Sequence, residues 1–231
     1  MTRRMLMILV AIGSAGTTPT ARAEPPEQRE NWDGETSRRV VAVGLVALGF
    51  AGNTSAAFGP EPELPAMRIL VNTVPGVPIE VLLRANVEAA RIYADAGVRL
   101  AWSDPSRTLP CLTVMIVSNP DAWLERVGAN ALGAAPGTDE GMGRLAYAFF
   151  DRIGATAQQY RTDVGKLLGY VMAHELGHIL LAGGSHSPSG IMSNRWGHSK
   201  MDLVAESLLR FTKEQVESIR KSVGDMKANH R

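Results

Sequence analysis

Two histidines four residues apart, within a long apolar segment, constrain the fold of this chain more than any other feature. They belong to the run His174-Glu175-Leu176-Gly177-His178. Residues four apart on an α-helix differ by about 40° of rotation and about 6 Å of rise, so both imidazoles leave the same face and can bind one ion. The run therefore predicts a helix over 162–181 that presents two metal ligands side by side.

Glu175 lies about 100° around this helix from His174, which places its carboxylate beside the ion rather than on it. A general base needs that position if it is to accept a proton from a water molecule that a metal activates. The alternative is a chance spacing of two surface histidines. Apolar residues on the other faces of the helix argue against this alternative, and they are Leu167, Leu168, Val171, Met172, Leu176, Ile179 and Leu180.

A catalytic zinc centre of tetrahedral geometry needs a third protein ligand and an open position. His186 is the first choice, because Gly183-Gly184 would end the helix and let the chain reverse direction. His198 is the second choice, but it would need another reversal at Gly197. The alternative for each histidine is a solvent-exposed place in a loop.

The run from His174 to His178, a glycine turn, His186 and then Met192 resemble the metzincin zinc metallopeptidases. The resemblance implies Zn²⁺ as the ion, with the three histidines as its ligands. It also implies that Glu175 is the catalytic base and that Met192 packs in the methionine-containing turn beneath the metal. Secreted bacterial metzincin-like proteins of unassigned substrate show a similar pattern.

The spacing departs from the usual family pattern at one point. Leu181 stands where that pattern has a glycine, and His186 comes two residues later than the third histidine of the family. A longer glycine turn would absorb this difference. With this longer glycine turn, the resemblance implies an exported zinc-dependent endopeptidase. The alternatives are a secreted zinc-stabilised binding module without turnover and an enzyme that hydrolyses a non-peptide amide.

The order of apolar patterns and turn residues from residue 58 onwards predicts an α+β fold. The metzincin resemblance implies a twisted mixed sheet with an antiparallel edge strand, the active-site helix and a small C-terminal helical subdomain. Thr212 and Gln215 have the spacing of a capping box at the start of the last predicted helix. Asp202 is expected to cap the start of the helix predicted at 203–209. Strands are predicted at 68–72, 98–102, 112–117 and 144–153, an extended segment at 129–135, and helices at 78–96, 121–127, 162–181, 203–209 and 213–223.

Small residues in the extended segment 130–134 make it the candidate for the edge strand of the cleft. An unpaired strand edge accepts an extended peptide by strand addition. Ala131, Leu132 and Gly133 are therefore candidate substrate-binding residues. The same composition fits an ordinary surface strand equally well.

The first 57 residues contain two segments of the export type. Arg3 and Arg4 precede an apolar stretch and the sequence Ala21-Arg22-Ala23, and Arg38-Arg39 precede a second apolar stretch. A basic start, an apolar core and small residues at a cleavage site are typical of a signal peptide. We therefore expect residues 1–57 to be a targeting region, residues 58–231 to be the zinc metallopeptidase-like domain, and the protein to be secreted or periplasmic.

The charge balance limits the classes of partner. The 231 residues include 24 Lys and Arg against 23 Asp and Glu, a net charge of +1, whereas nucleic-acid-binding proteins usually have a basic excess. The apolar stretches are shorter than the roughly 20 residues of a membrane span, and Cys111 is the only cysteine, which excludes cysteine-rich zinc modules. We expect a monomer that acts on a peptide or protein substrate, binds no nucleic acid and has no membrane span once mature.

Overall fold

The computed structural model describes residues 6–8, 64–102, 109–119, 128, 130–138, 141–181 and 186–228. The strands of this part are β1 (Leu6–Ile8), β2 (Ala66–Thr73), β3 (Arg99–Ala101), β4 (Cys111–Val117), β5 (Gly133–Thr138), β6 (Gly141–Met142) and β7 (Leu145–Phe149). The helices are α1 (Ile79–Asp95), α2 (Phe150–Tyr160), α3 (Val164–Leu180), α4 (His198–Ala205) and α5 (Lys213–Ala228).

Five strands form a mostly parallel sheet in the order β3-β2-β4-β7-β5. β2 runs parallel to β3 and β4, and β4 runs parallel to β7. β5 is antiparallel to β7 and also pairs with β6. On its side away from β7, β5 pairs with β1, in the register Leu6 to Gly137 and Ile8 to Ala135. The described part of the chain is thus a mixed α+β fold.

α3 is buried along almost its whole length because it packs against the sheet, α1 and the other helices. Its glycines allow the two helices to approach closely. A Cβ atom on Gly169 would lie 2.7 Å from the backbone oxygen of Ala85. The sequence predicts Thr162 or Asp163 as the N-terminal cap of this helix, and the Asp163 side chain accepts a hydrogen bond from the backbone N–H of Lys166 at 2.8 Å. The segment with the two histidines is therefore a rigid central element.

Three details of the predicted elements are wrong. The aromatic segment 144–153 is a strand only to Phe149, and α2 follows directly, because Ile153 and Ala157 bury one side of a helix there. The helix predicted at 203–209 is α4, which begins at His198, so Asp202 lies inside it and does not cap it. The nearly unbroken apolar run 112–117 predicts a strand buried on both faces, but β4 alternates between buried and half-buried side chains.

The predicted capping box at the last helix is confirmed. The backbone N–H of Thr212 donates to Gln215 Oε1 at 3.0 Å, and the backbone N–H of Gln215 donates to Thr212 Oγ1 at 3.4 Å. α5 continues to Ala228, beyond the predicted end at 223. Its buried side chains, Gln215, Ile219 and Val223, keep this helix against the core.

Several expectations fall on residues outside the described ranges, namely the helix at 121–127, Gly183-Gly184, and the targeting region except for residues 6–8. Removal of residues 1–57 therefore stays a prediction. In the part of the chain that the structure covers, no helix has both the length and the hydropathy to cross a membrane.

Candidate metal centre

Three histidine side chains converge at the C-terminal half of α3. Each of His174, His178 and His186 offers a ring nitrogen, and these nitrogens all lie within 4.8 Å of one another. α3 carries the first two, both fully buried, and His186 comes from the segment after the helix and is partly exposed. The three imidazoles could hold one metal ion.

A hydrogen bond fixes the orientation of the His174 ring. Its Nδ1 lies 2.7 Å from the backbone oxygen of Ile191, so Nδ1 carries the proton and Nε2 keeps its lone pair. Nε2 is buried and has no hydrogen-bond partner among the described residues. Burial, followed by the neighbouring His178, holds the pKa of His174 well below its usual value. The ring is thus neutral, as a metal ligand must be.

The chain after His186 returns beneath the histidines. The backbone N–H of Ser187 donates to Met192 O at 2.8 Å, and that of Ile191 donates to Arg210 O at 2.9 Å. Met192 is fully buried, and its Sδ lies 2.5 Å from where a Cβ on Gly177 would be. The methionine side chain therefore packs against the backbone of α3 at Gly177, which lies between His174 and His178 in the sequence.

The side chain of Glu175, the residue that follows His174 on α3, is fully buried. Neither of its carboxylate oxygens has a hydrogen-bond partner within the described ranges. Burial raises the pKa of this carboxyl well above its usual value. A carboxylate buried without compensating hydrogen bonds is costly, so its presence needs a reason other than stability.

β5 touches Glu175 directly. A Cβ on Gly133 would lie 2.7 Å from Glu175 Oε1 and 2.6 Å from the backbone oxygen of Tyr147. The strand can therefore pass the carboxylate only because residue 133 has no side chain.

We expect Gly133→Ala to destabilise the protein by about 1–3 kcal/mol, because the new methyl group overpacks a backbone contact. It should also displace the Glu175 carboxylate. Gly154→Ala is the matched control, since a Cβ there meets nothing within 4 Å and alanine is favoured over glycine inside a helix by about 0.5–1 kcal/mol. Urea unfolding of both variants checks this. Equal stability of the two variants would contradict the contact.

The other candidate residues lie in different surroundings. His198 is exposed at the first turn of α4, and its ring centroid lies 4.8 Å from that of Tyr160. It is not part of the histidine cluster. Ala131 and Leu132 are buried just before β5 begins at Gly133. That this segment binds an extended peptide stays a prediction.

Sequence reasoning missed two residues that support the cluster. The buried indole of Trp196 stands edge-on to His174, with ring centroids 5.8 Å apart. The buried Tyr93 hydroxyl donates to the backbone oxygen of Ala173 at 3.1 Å, and burial raises the pKa of Tyr93 well above its usual value. In the sequence, the position of Trp196 soon after Met192 is a weak indication that it contacts the site. The bond from Tyr93 to Ala173 joins residues 80 apart, so the sequence contains no indication of it.

The donor set fits a metal ion of the kind that imidazole nitrogens bind. Three histidine ligands would leave a coordination position open for water or substrate, as in catalytic zinc sites, and Glu175 follows His174 on the same helix. Comparisons of the chain with protein-family models, with curated proteins and with solved structures find no match. The similarity to metzincins therefore rests on the residues of the motif.

Proposed function

We propose that this chain is an exported zinc-dependent endopeptidase of metzincin-like type. One observation carries the proposal: Glu175 is fully buried beside three converging histidines, and its carboxylate has no hydrogen-bond partner in the described part of the chain. A metal site that only stabilises a fold needs no such group. A hydrolase needs it as a general base.

The three imidazoles would hold the ion, and the Ile191 carbonyl and Trp196 keep the His174 ring in place. When bound, zinc supplies Lewis acidity, which activates water and polarises the scissile carbonyl. The charge of the bound ion would favour the ionised form of Glu175, which would accept the proton of the attacking water and then donate it to the leaving amine nitrogen. Because its side chain is buried, bulk water does not compete for that proton.

The substrate is an extended peptide that pairs with the edge of β5 away from β7, in place of residues 6–8. Residues 6–8 of the chain itself pair antiparallel with 135–137 at that edge, which supports its capacity to accept a strand. Because Gly133 of the same strand touches Glu175, a peptide paired along β5 would run past the catalytic carboxylate. Export rests on the basic and apolar pattern of residues 1–57.

Zinc analysis of the purified protein, combined with digestion of an unbiased peptide library, tests the proposal. We expect one zinc per chain, internal cleavage of peptides, loss of cleavage on chelation and recovery on addition of zinc. A protein that is fully loaded with zinc and cleaves no peptide would instead be the binding module. A protein that binds no zinc would refute both functions.

A further inference from the structure

The Gln215 side chain makes two hydrogen bonds that serve different elements. Its Oε1 accepts from the backbone N–H of Thr212 at 3.0 Å, which is the capping interaction of α5. Its Nε2 donates to Ser187 Oγ at 2.9 Å, across 28 residues of sequence. A capping box uses only the oxygen, so the second bond is not explained by the helix.

Ser187 is the neighbour of His186, and its backbone N–H and its hydroxyl both form hydrogen bonds. The backbone N–H donates to Met192 O at 2.8 Å. The hydroxyl donates to the backbone oxygen of Ser189 at 2.6 Å and accepts the amide hydrogen of Gln215. The backbone next to His186 is therefore fixed by the loop itself on one side and by α5 on the other.

His186 depends on this fixation more than the other two histidines do. His174 and His178 are buried on one helix, which sets their separation. His186 lies outside the helix and is partly exposed. Its place in the cluster is therefore set by the loop that carries it, and a loop that is held before the metal arrives loses less entropy on binding.

We propose that Gln215 is a positioning residue of the metal centre, which holds His186 in place by donating from Nε2 to Ser187 Oγ. The inference rests on the proposed function, since it takes zinc as the ion. Gln215 touches neither the ion nor the substrate and acts through Ser187. It is 9% exposed, so water competes little for its amide group. Glutamate is the other residue usual at this position of a capping box, but its carboxylate has no N–H group to donate to Ser187 Oγ.

Two variants that each remove one hydroxyl separate positioning from helix stability. Ser187→Ala breaks the bond at the loop and leaves the cap, whereas Thr212→Ala weakens the cap and leaves the bond to Ser187. The zinc dissociation constant is measured by chelator competition, and the melting temperature is measured on the metal-free protein. We expect Ser187→Ala to raise the dissociation constant about 10–100-fold with little change in melting temperature. Thr212→Ala should lower the melting temperature by a few degrees at unchanged zinc affinity.

Two further variants complete the test. Ser187→Thr keeps the hydroxyl and should retain wild-type affinity for zinc. Gln215→Ala should weaken zinc binding, and adding Gln215→Ala to Ser187→Ala should weaken binding no further, because Ser187→Ala has already removed the bond between the two side chains.

Unchanged zinc affinity in Ser187→Ala would overturn the positioning role while leaving the proposed function intact. Equal loss of affinity in Thr212→Ala would also overturn it, because α5 would then act through general stability. A wild-type protein without zinc affinity would overturn both proposals.

Discussion

Glu175→Gln is expected to lower peptide hydrolysis by a factor of about 10²–10⁴ while zinc stays bound. The amide has nearly the same volume as the carboxylate but cannot accept the proton of the attacking water. The three histidines are untouched, so zinc content should equal that of the wild type. Because the change also removes a buried carboxylate without hydrogen-bond partners in the described residues, the melting temperature should stay the same or rise.

The rate of peptide cleavage and the zinc content of the same sample are measured together. Glu80→Gln is the matched control, because Glu80 is exposed in the first turn of α1 and its replacement should leave both quantities unchanged. If the protein is a binding module, Glu175→Gln should change neither its zinc content nor its lack of peptide cleavage. A Glu175→Gln variant that cleaves peptides at the wild-type rate would refute the role of this carboxylate as the general base.

His186→Ala is expected to release zinc under mild chelation, whereas His198→Ala is expected to retain it. Loss of one of three protein ligands should weaken binding by more than the roughly 10–100-fold that loss of an outer hydrogen-bond partner costs. His198 is exposed beside Tyr160, outside the histidine cluster. Its replacement removes a ring contact on the surface and no ligand.

Zinc retained after dialysis against a weak chelator, measured for both variants at equal protein concentration, distinguishes the two histidines. His174→Ala and His178→Ala provide the positive controls, since each removes a ligand from α3. If His198→Ala lost zinc and His186→Ala kept it, the centre would close through the later loop.

Local sequence patterns predicted the parts of the site that lie on one helix. The spacing of His174 and His178 implies a shared face, and Asp163 and the pair Thr212–Gln215 have the chemistry of caps. Such features depend on residues within one or two turns of each other. The structure places them where the sequence predicts, and the mixed order of strands and helices follows from the same kind of pattern.

Contacts between distant segments were not predictable in this way. The bond from Tyr93 to Ala173 and that from Gln215 to Ser187 join residues 80 and 28 positions apart, and no short pattern encodes them. α2 was missed for a different reason. Its first residue, Phe150, continues an aromatic strand pattern, and the helix is recognisable only from the spacing of Ile153 and Ala157, which pack on the core.

The anchoring of the His186 loop has a consequence for synthesis on the ribosome. The loop is held by the carbonyl of Arg210 and the amide of Gln215, both of which are made after it. Chains fold as they emerge from the N-terminus, so α3 and its two histidines exist before the anchors of the third. A nascent chain that stops before residue 210 therefore contains all three histidines but lacks both anchors of the third. Its affinity for the ion should reach the full value only when the last helix has docked.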